Sequence, residues 1–399
     1  MTRKRYTLIY CLLLWLLPLP VAATTATPVP RFSLLTCGPG QEIYSLFGHT
    51  ALRMQLPEQG IDRVFNYGIF NFHTPHFVLR FALGETDYLL GATNYDHFLS
   101  QYAWEERWVD EQPLQLDSVA AQRLYHLLSE NYRPENRLYR YNFFFDNCST
   151  RPRDLVEKAL EGSIHYADEM EEPQADLTFR TLIHRYSEHH PWSRLGMDLC
   201  LGSEADRPIS RREAMFVPLV LEEVFAQATI CPAGQEPRPL TSDRQPLLTD
   251  AAPESADTLW TPLTCACLLL VLVAGATLWE WRQNRRLWGL DLLLLAAAGI
   301  AGSILAFLAC LSSHPAVSPN WLLLVFHPFY LLALPWVIWS DIKRRKNLFM
   351  QVVFAELIFF ILFWGLIPQV FPLSVLPLAL CLLLRCSKHV FGQCPNRNH

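Results

Sequence analysis

Five apolar segments near the C-terminus constrain this chain more than any other feature: Leu259–Trp279, Leu287–Leu311, Trp321–Trp339, Phe349–Ile367 and Leu373–Leu384. A helix needs roughly 20 apolar residues to cross the hydrocarbon core of a bilayer, and only the last segment is short of a comfortable span. A backbone that leaves water must satisfy its own polar groups, so this part reads as a transmembrane helical domain, 258–385, of about five spans. Arg282, Arg285 and Arg286 follow the first segment, Lys343, Arg344, Arg345 and Lys346 the third, and Arg385 and Lys388 the fifth. The alternate loops, Ser312–Asn320 and Pro368–Pro372, carry no lysine or arginine. Positive charge marks the cytoplasmic side, which puts everything before the first span outside and the tail, 386–399, inside.

The other end of the chain agrees. Arg3-Lys4-Arg5 precedes an apolar run, Tyr6–Leu19, followed by the small residues Ala22 and Ala23. A basic start, a run too short to span and a small-residue finish make a secretory signal peptide, 1–23. The expected location is therefore the inner membrane, multi-pass, with the middle of the chain in the periplasm. Of the 399 residues 51% are hydrophobic, concentrated before Pro20 and after Trp260, and the net charge is −5. Basic residues cluster only beside the membrane segments, so nucleic acid is not a partner.

Between these ends the pattern is α+β. Arg31–Cys37 reads as a strand, His49–Gln55 as an alternating strand with Arg63–Ile69 as its hairpin partner, and Arg107–Leu114 as another strand. Pro75–Leu83, Tyr95–Trp104 and a helix capped by Asp117 come between, with Thr86–Gly91 extended. Past Gly162, Leu177–His190 reads as a helix, and a capping box at Ser210–Glu213 opens one through Phe225. A catalytic domain over 31–230, with a helical extension, is expected to end at a Pro-, Gln- and Ser-rich linker, 231–257.

One stretch of this domain carries chemistry. The aromatic, strand-like run Tyr139–Phe145 stops at Asp146-Asn147, and helical spacing begins by Asp154. Cys148 thus falls where a strand hands over to a helix N-terminus. Free N–H groups and the helix dipole favour a thiolate there, and Arg151 and Arg153 add positive charge. That environment suits a nucleophile. The competing reading is half of a disulfide, since exported cysteines commonly pair. Among Cys37, Cys148, Cys200 and Cys231, a Cys200–Cys231 bond would leave Cys148 free.

A nucleophilic thiol needs a base, and His49 in Phe47-Gly48-His49-Thr50 is the candidate. Asn66 and Tyr67, on the neighbouring strand, are candidates for a third group that orients the imidazole. Asn147 could serve an oxyanion, and Tyr44 with Glu42 could line the site; ordinary strand, cap and turn roles compete for all five. His73 and His76 are split by Pro75, and His189-His190 reads as a loop, so neither metal nor cofactor is expected. His327 and Glu356 are ionisable residues within apolar spans, where such residues are functional candidates by default.

The pairing of Gly48-His49-Thr50 with Asp146-Asn147-Cys148-Ser149-Thr150-Arg151-Pro152-Arg153-Asp154 resembles the Lnb-type lipoprotein N-acyltransferase family. The histidine-before-cysteine order is also similar to circularly permuted papain-like folds of the NlpC type. The resemblance implies a papain-like exported domain with Cys148 as nucleophile and His49 as base, and leaves the third position open. It implies acyl transfer from a phospholipid, through a Cys148 thioester, to the α-amine of a diacylglyceryl-cysteine lipoprotein at the bilayer surface. A membrane-anchored cysteine peptidase or amidase acting on cell-wall peptide needs the same Cys–His pair and is the alternative. A third alternative is a catalytically silent lipid-binding or scaffold protein, which an inert thiol at Cys148 would favour.

Overall fold

Seven antiparallel strands carry the exported half: β1 (Arg31–Cys37), β2 (His49–Leu56), β3 (Ile61–Ile69), β4 (Asp87–Asn94), β5 (Val109–Pro113), β6 (Leu138–Arg140) and β7 (Gln245–Leu248). Their order is β7-β5-β1-β2-β3-β4-β6. The computed structural model describes residues 28–70, 75–166, 170, 172–232, 234, 236–249 and 259–391. The expected signal peptide, His73 and most of the expected tail lie outside these residues.

Helices follow as α1 (Phe77–Leu83), α2 (Tyr95–Trp104), α3 (Ser118–Tyr132), α4 (Thr150–Leu160), α5 (Phe179–Tyr186), α6 (Pro191–Cys200), α7 (Arg211–Ala214) and α8 (Pro218–Gln227). Alternation along β2 sends Leu52, Met54 and Leu56 to one face of the sheet, into a core shared with Leu124 and Leu128 of α3 and Val156 of α4. Ala51 points to the opposite face, packed with Cys37, Val64, Phe98 and Tyr102 under α2. The β2–β3 hairpin forms as expected, with Ala51 opposite Asn66 and Leu52 opposite Phe65. Asp117 caps α3 by accepting the Ala120 N–H at 2.8 Å.

Three expectations give way in this half. The stretch read as a linker, 231–257, contains β7, which pairs with β5 at the edge of the main sheet. A Pro/Gln-rich composition hid a short edge strand, where proline is tolerated. The Ser210–Glu213 capping box is real, with N–H to side-chain bonds of 3.0 and 3.1 Å, but its helix stops at Ala214. Pro218 cannot donate to the Ala214 carbonyl and its ring crowds it, so a new helix, α8, begins there instead. The expected helix over Leu177–His190 ends at Tyr186, and α6 starts after His190, at Pro191.

The membrane half is α9 (Pro262–Gln283), α10 (Trp288–Leu311), α11 (Phe329–Ile342), α12 (Leu348–Phe363) and α13 (Val375–Phe391). Among the described residues, three stretches are long and apolar enough to cross a bilayer: Pro262–Gln283, Trp288–Leu311 and Trp321–Ile342. α12 has 16 residues and α13 has 17, both shorter than a usual span. Arg385 and Lys388, read as loop charges, lie inside α13 and are buried. Arg385 is ion-paired with Asp291 at 2.8 Å and with Glu280, and Lys388 with Asp291 and Asp341. The residues that gave this end its positive character are thus neutralised within the bundle, and Arg282, Arg285 and the 343–346 cluster remain as loop charge. His327, in the link just before α11, and Glu356 of α12 meet each other at 3.6 Å.

The halves are fastened through α6 and the turn after it. Asn320 donates to the Leu199 carbonyl at 2.8 Å, Gln369 to that of Leu201 at 3.1 Å, and the Val370 N–H to Asp206 at 3.2 Å. Arg180, fully buried, braces the same turn through Asp198 and Asp206 at 2.8 and 2.7 Å.

Candidate active site

The loop before α4 is made by its own polar residues. Asn142 and Asp146 exchange backbone hydrogen bonds of 3.0 and 2.9 Å, so the aromatic run leaves strand geometry after Arg140 rather than at Asp146. The Asn142 carboxamide oxygen accepts the N–H groups of Phe144 and Phe145 at 3.1 Å. Asn147 then takes over: its side-chain oxygen accepts from Ser149 and Thr150 at 2.8 and 2.9 Å. Its amide nitrogen donates to the Phe143 and Phe216 carbonyls at 2.9 and 2.8 Å. Asn147 is fully committed to shaping this turn, which removes it as an oxyanion donor.

The turn delivers Cys148 against β2. Ser149 and Thr50 share a hydroxyl hydrogen bond of 3.0 Å, joining the segment after the cysteine to the segment after the histidine. Gly68 of β3 closes the other side; a Cβ there would lie 3.8 Å from the Cys148 Cβ. Gly48, at φ +81°, permits the approach of the histidine turn, since a side chain would meet the Cys37 carbonyl oxygen at 2.6 Å.

Burial pushes the Cys148 thiol up to about 11, although the backbone N–H groups of Thr50 and of Cys148 itself face the sulfur and, with Arg107, pull the other way. Burial likewise holds the His49 imidazole down at about 4. The resting pair is therefore neutral thiol and neutral imidazole, not the expected thiolate. The two arginines expected to supply positive charge are occupied elsewhere. Arg151 pairs with Asp146 at 2.8 Å and lies over the Tyr139 ring, and Arg153 pairs with Asp154 and the Arg212 carbonyl.

His49 Nε2 is 3.1 Å from the Asn66 Oδ1. An amide oxygen only accepts, so Nε2 carries the hydrogen and Nδ1 is left as the basic nitrogen. His49 and Cys148 share no hydrogen bond, and catalytic pairs commonly tighten only in the substrate complex. Tyr67, the other candidate, points to the opposite face and donates to Asn131. Tyr44 is exposed, its ring 6.1 Å from that of Phe70, while the Glu42 carbonyl only closes a turn with Ser45. Cys37, opposite His49 on β1, is buried with its thiol pushed up by burial. Cys37, Cys200 and Cys231 are all free thiols, so the suspected Cys200–Cys231 bond is not formed.

Sequence reasoning missed Thr50 and Arg107. Thr50 follows the histidine directly, and alternation would have placed it on the α4 face beside the cysteine. Arg107 precedes β5 and reaches the site only through the sheet order, donating to the Gly38 carbonyl at 2.8 Å.

Two family models match the chain. The Lnb N-terminal periplasmic domain matches residues 22–185, which include both His49 and Cys148, and the Lnb transmembrane domain matches residues 254–395. No curated protein and no solved structure matches the chain. With its periplasmic domain and its helical membrane domain each matched by a model of the same family, the chain belongs to the Lnb family.

Proposed function

We propose that this protein is a membrane-bound lipoprotein N-acyltransferase working through an acyl-thioester on Cys148. The observation that carries the reading is the meeting of Cys148 with the His49–Thr50 segment, the imidazole oriented by Asn66, in a domain bolted to membrane helices. A cysteine at a helix start against an antiparallel sheet also supports the permuted papain-like description of the domain.

In the first half-reaction His49 Nδ1 takes the Cys148 proton as the sulfur attacks a phospholipid ester carbonyl. The N–H groups of Thr50 and Cys148, which face the sulfur, are placed to receive the developing oxyanion. The ester oxygen leaves as a lysophospholipid and takes the proton from His49. In the second half-reaction the α-amine of a diacylglyceryl-cysteine attacks the thioester, and the thiol is restored as the amine proton passes through His49. No cofactor is needed for either step. Cys148 packs against an apolar core that includes Phe47 and Phe144, which limits water and so favours the amine over hydrolysis.

The test is reconstitution. Wild-type protein with phospholipid and a diacylated lipopeptide should give triacylated lipopeptide and lysophospholipid in equal amounts, and blocking the α-amine should stop transfer. Release of free fatty acid alone would make the protein a phospholipase. Cleavage of wall peptides without lipid would support the peptidase reading instead.

A further inference from the structure

α1 is an odd helix for a water-facing domain. Of its seven residues only Arg80 is polar, none is buried, and Val78, Leu79 and Phe81 are exposed. Its C-terminal end is stitched to the end of α10. Ser313 donates its N–H and its hydroxyl to the Leu83 carbonyl at 2.9 Å, and the His314 ring contacts the Phe81 carbonyl at 2.6 Å. Gly84, at φ +73°, fits there because a side chain would strike Ser313.

Between the two helices runs a cleft of about 950 Å³, walled by Phe77, Val78 and Ala82 on one side and by Ile300, Ile304 and Phe307 on the other. At 1.5 Å per residue, Ile300 lies roughly 16 Å down α10 from Leu311, so the cleft descends beside a membrane span. Its upper end continues as stacked rings: Phe77 on Phe81 at 6.2 Å, Phe70 on Phe77 at 5.9 Å, Tyr88 by Phe70 at 5.1 Å, and Tyr141 on Tyr88 at 4.1 Å. Phe70 follows Gly68, the residue against Cys148.

We propose that this cleft holds an acyl chain of the donor phospholipid and guides its ester carbonyl to Cys148. The walls are apolar and open onto the lipid-facing flank of α10, where Ile300 and Ile304 are exposed, so the occupant there is lipid rather than protein. The track runs to Tyr141, which lies within electrostatic reach of Cys148, and the donor must deliver its carbonyl to the sulfur before any acceptor arrives. The substrate assignment rests on the acyltransferase reading; occupancy of the cleft is measured without it.

Full-length Cys148→Ala protein in nanodiscs is given a phosphatidylethanolamine with a photoactivatable diazirine at its acyl terminus, irradiated, and mapped by peptide mass spectrometry. Adducts concentrated on 76–82 and 300–308 are expected. Adducts spread evenly over the lipid-facing helices would overturn the proposal, as would preferential labelling of the cleft by a diazirine-bearing diacylated lipopeptide. In the otherwise native enzyme, Ser303→Trp and, separately, Ala82→Trp should slow acylation of Cys148 by long-chain phospholipid by about tenfold or more, the equivalent of two methylenes of lost burial. Reaction with a water-soluble short-chain ester should be unchanged in both. An unchanged phospholipid rate would overturn the proposal; a wild-type enzyme acylated by neither ester would instead refute the acyltransferase reading while leaving the cross-linking result to stand.

Discussion

The thiol and imidazole at this site are both held neutral, and that single feature sets how the residues should behave. Below its pKa, raised to about 11, the Cys148 thiolate fraction grows about tenfold per pH unit. Alkylation of Cys148 by iodoacetamide should therefore climb with that slope from pH 6 to 9, whereas a plateau beginning below pH 7 would mean a preformed ion pair. Asn66, which accepts from His49, and Tyr67, which faces the other way, should respond differently to mutation. Asn66→Ala should cut turnover by about ten- to a hundredfold with the fold intact, because the imidazole loses its orienting acceptor. Tyr67→Phe, on the other face, should lose stability before rate. Equal rate losses in the two variants, measured with circular dichroism as a fold control, would remove Asn66 from its role. The position of Cys148 just before a helix was legible in the sequence because N-capping residues and the helical spacing flank it. Its charge state was not, because Asp146 and Asp154 sit beside the arginines in sequence and nothing local shows that they claim them.

At the level of elements, the alternation that marks β2 and β3 was readable because one register alone buries Leu52, Met54 and Phe65 together. β7 was not, since a four-residue strand holding a proline carries no period. The same edge of the sheet holds a pH-sensitive contact. Burial, aided by the Asp110 carboxylate and opposed by Arg244, lifts Glu222 of α8 from 4.5 to about 7. The folded protein then binds this proton more tightly than the unfolded chain, so stability falls as pH rises from about 4.5 through 7. Glu222→Gln should abolish that loss, and its melting midpoint should overtake wild type most clearly above pH 7. Parallel midpoints from pH 5 to 8 would show that Glu222 titrates normally.

For the whole molecule, the division into an exported domain and a helical membrane domain was plain from hydropathy alone, and the family models cover both. The manner of their joining was not, because Asn320 and Gln369 reach the end of α6 and the turn after it only across more than a hundred residues of chain. The loop charges at Arg282, Arg285 and 343–346 predict a periplasmic middle domain and a cytoplasmic tail. A reporter active only in the periplasm should be on when fused near Asp257 and off after His399; two signals of the same sign would rule out an odd number of crossings between them. The account stands or falls on a covalent intermediate. Wild-type protein incubated with phospholipid and no acceptor should gain the mass of one fatty acyl chain on Cys148, removable by neutral hydroxylamine and discharged by diacylated lipopeptide. An enzyme that turns over with Cys148 never acylated, or an adduct on another residue, would contradict it.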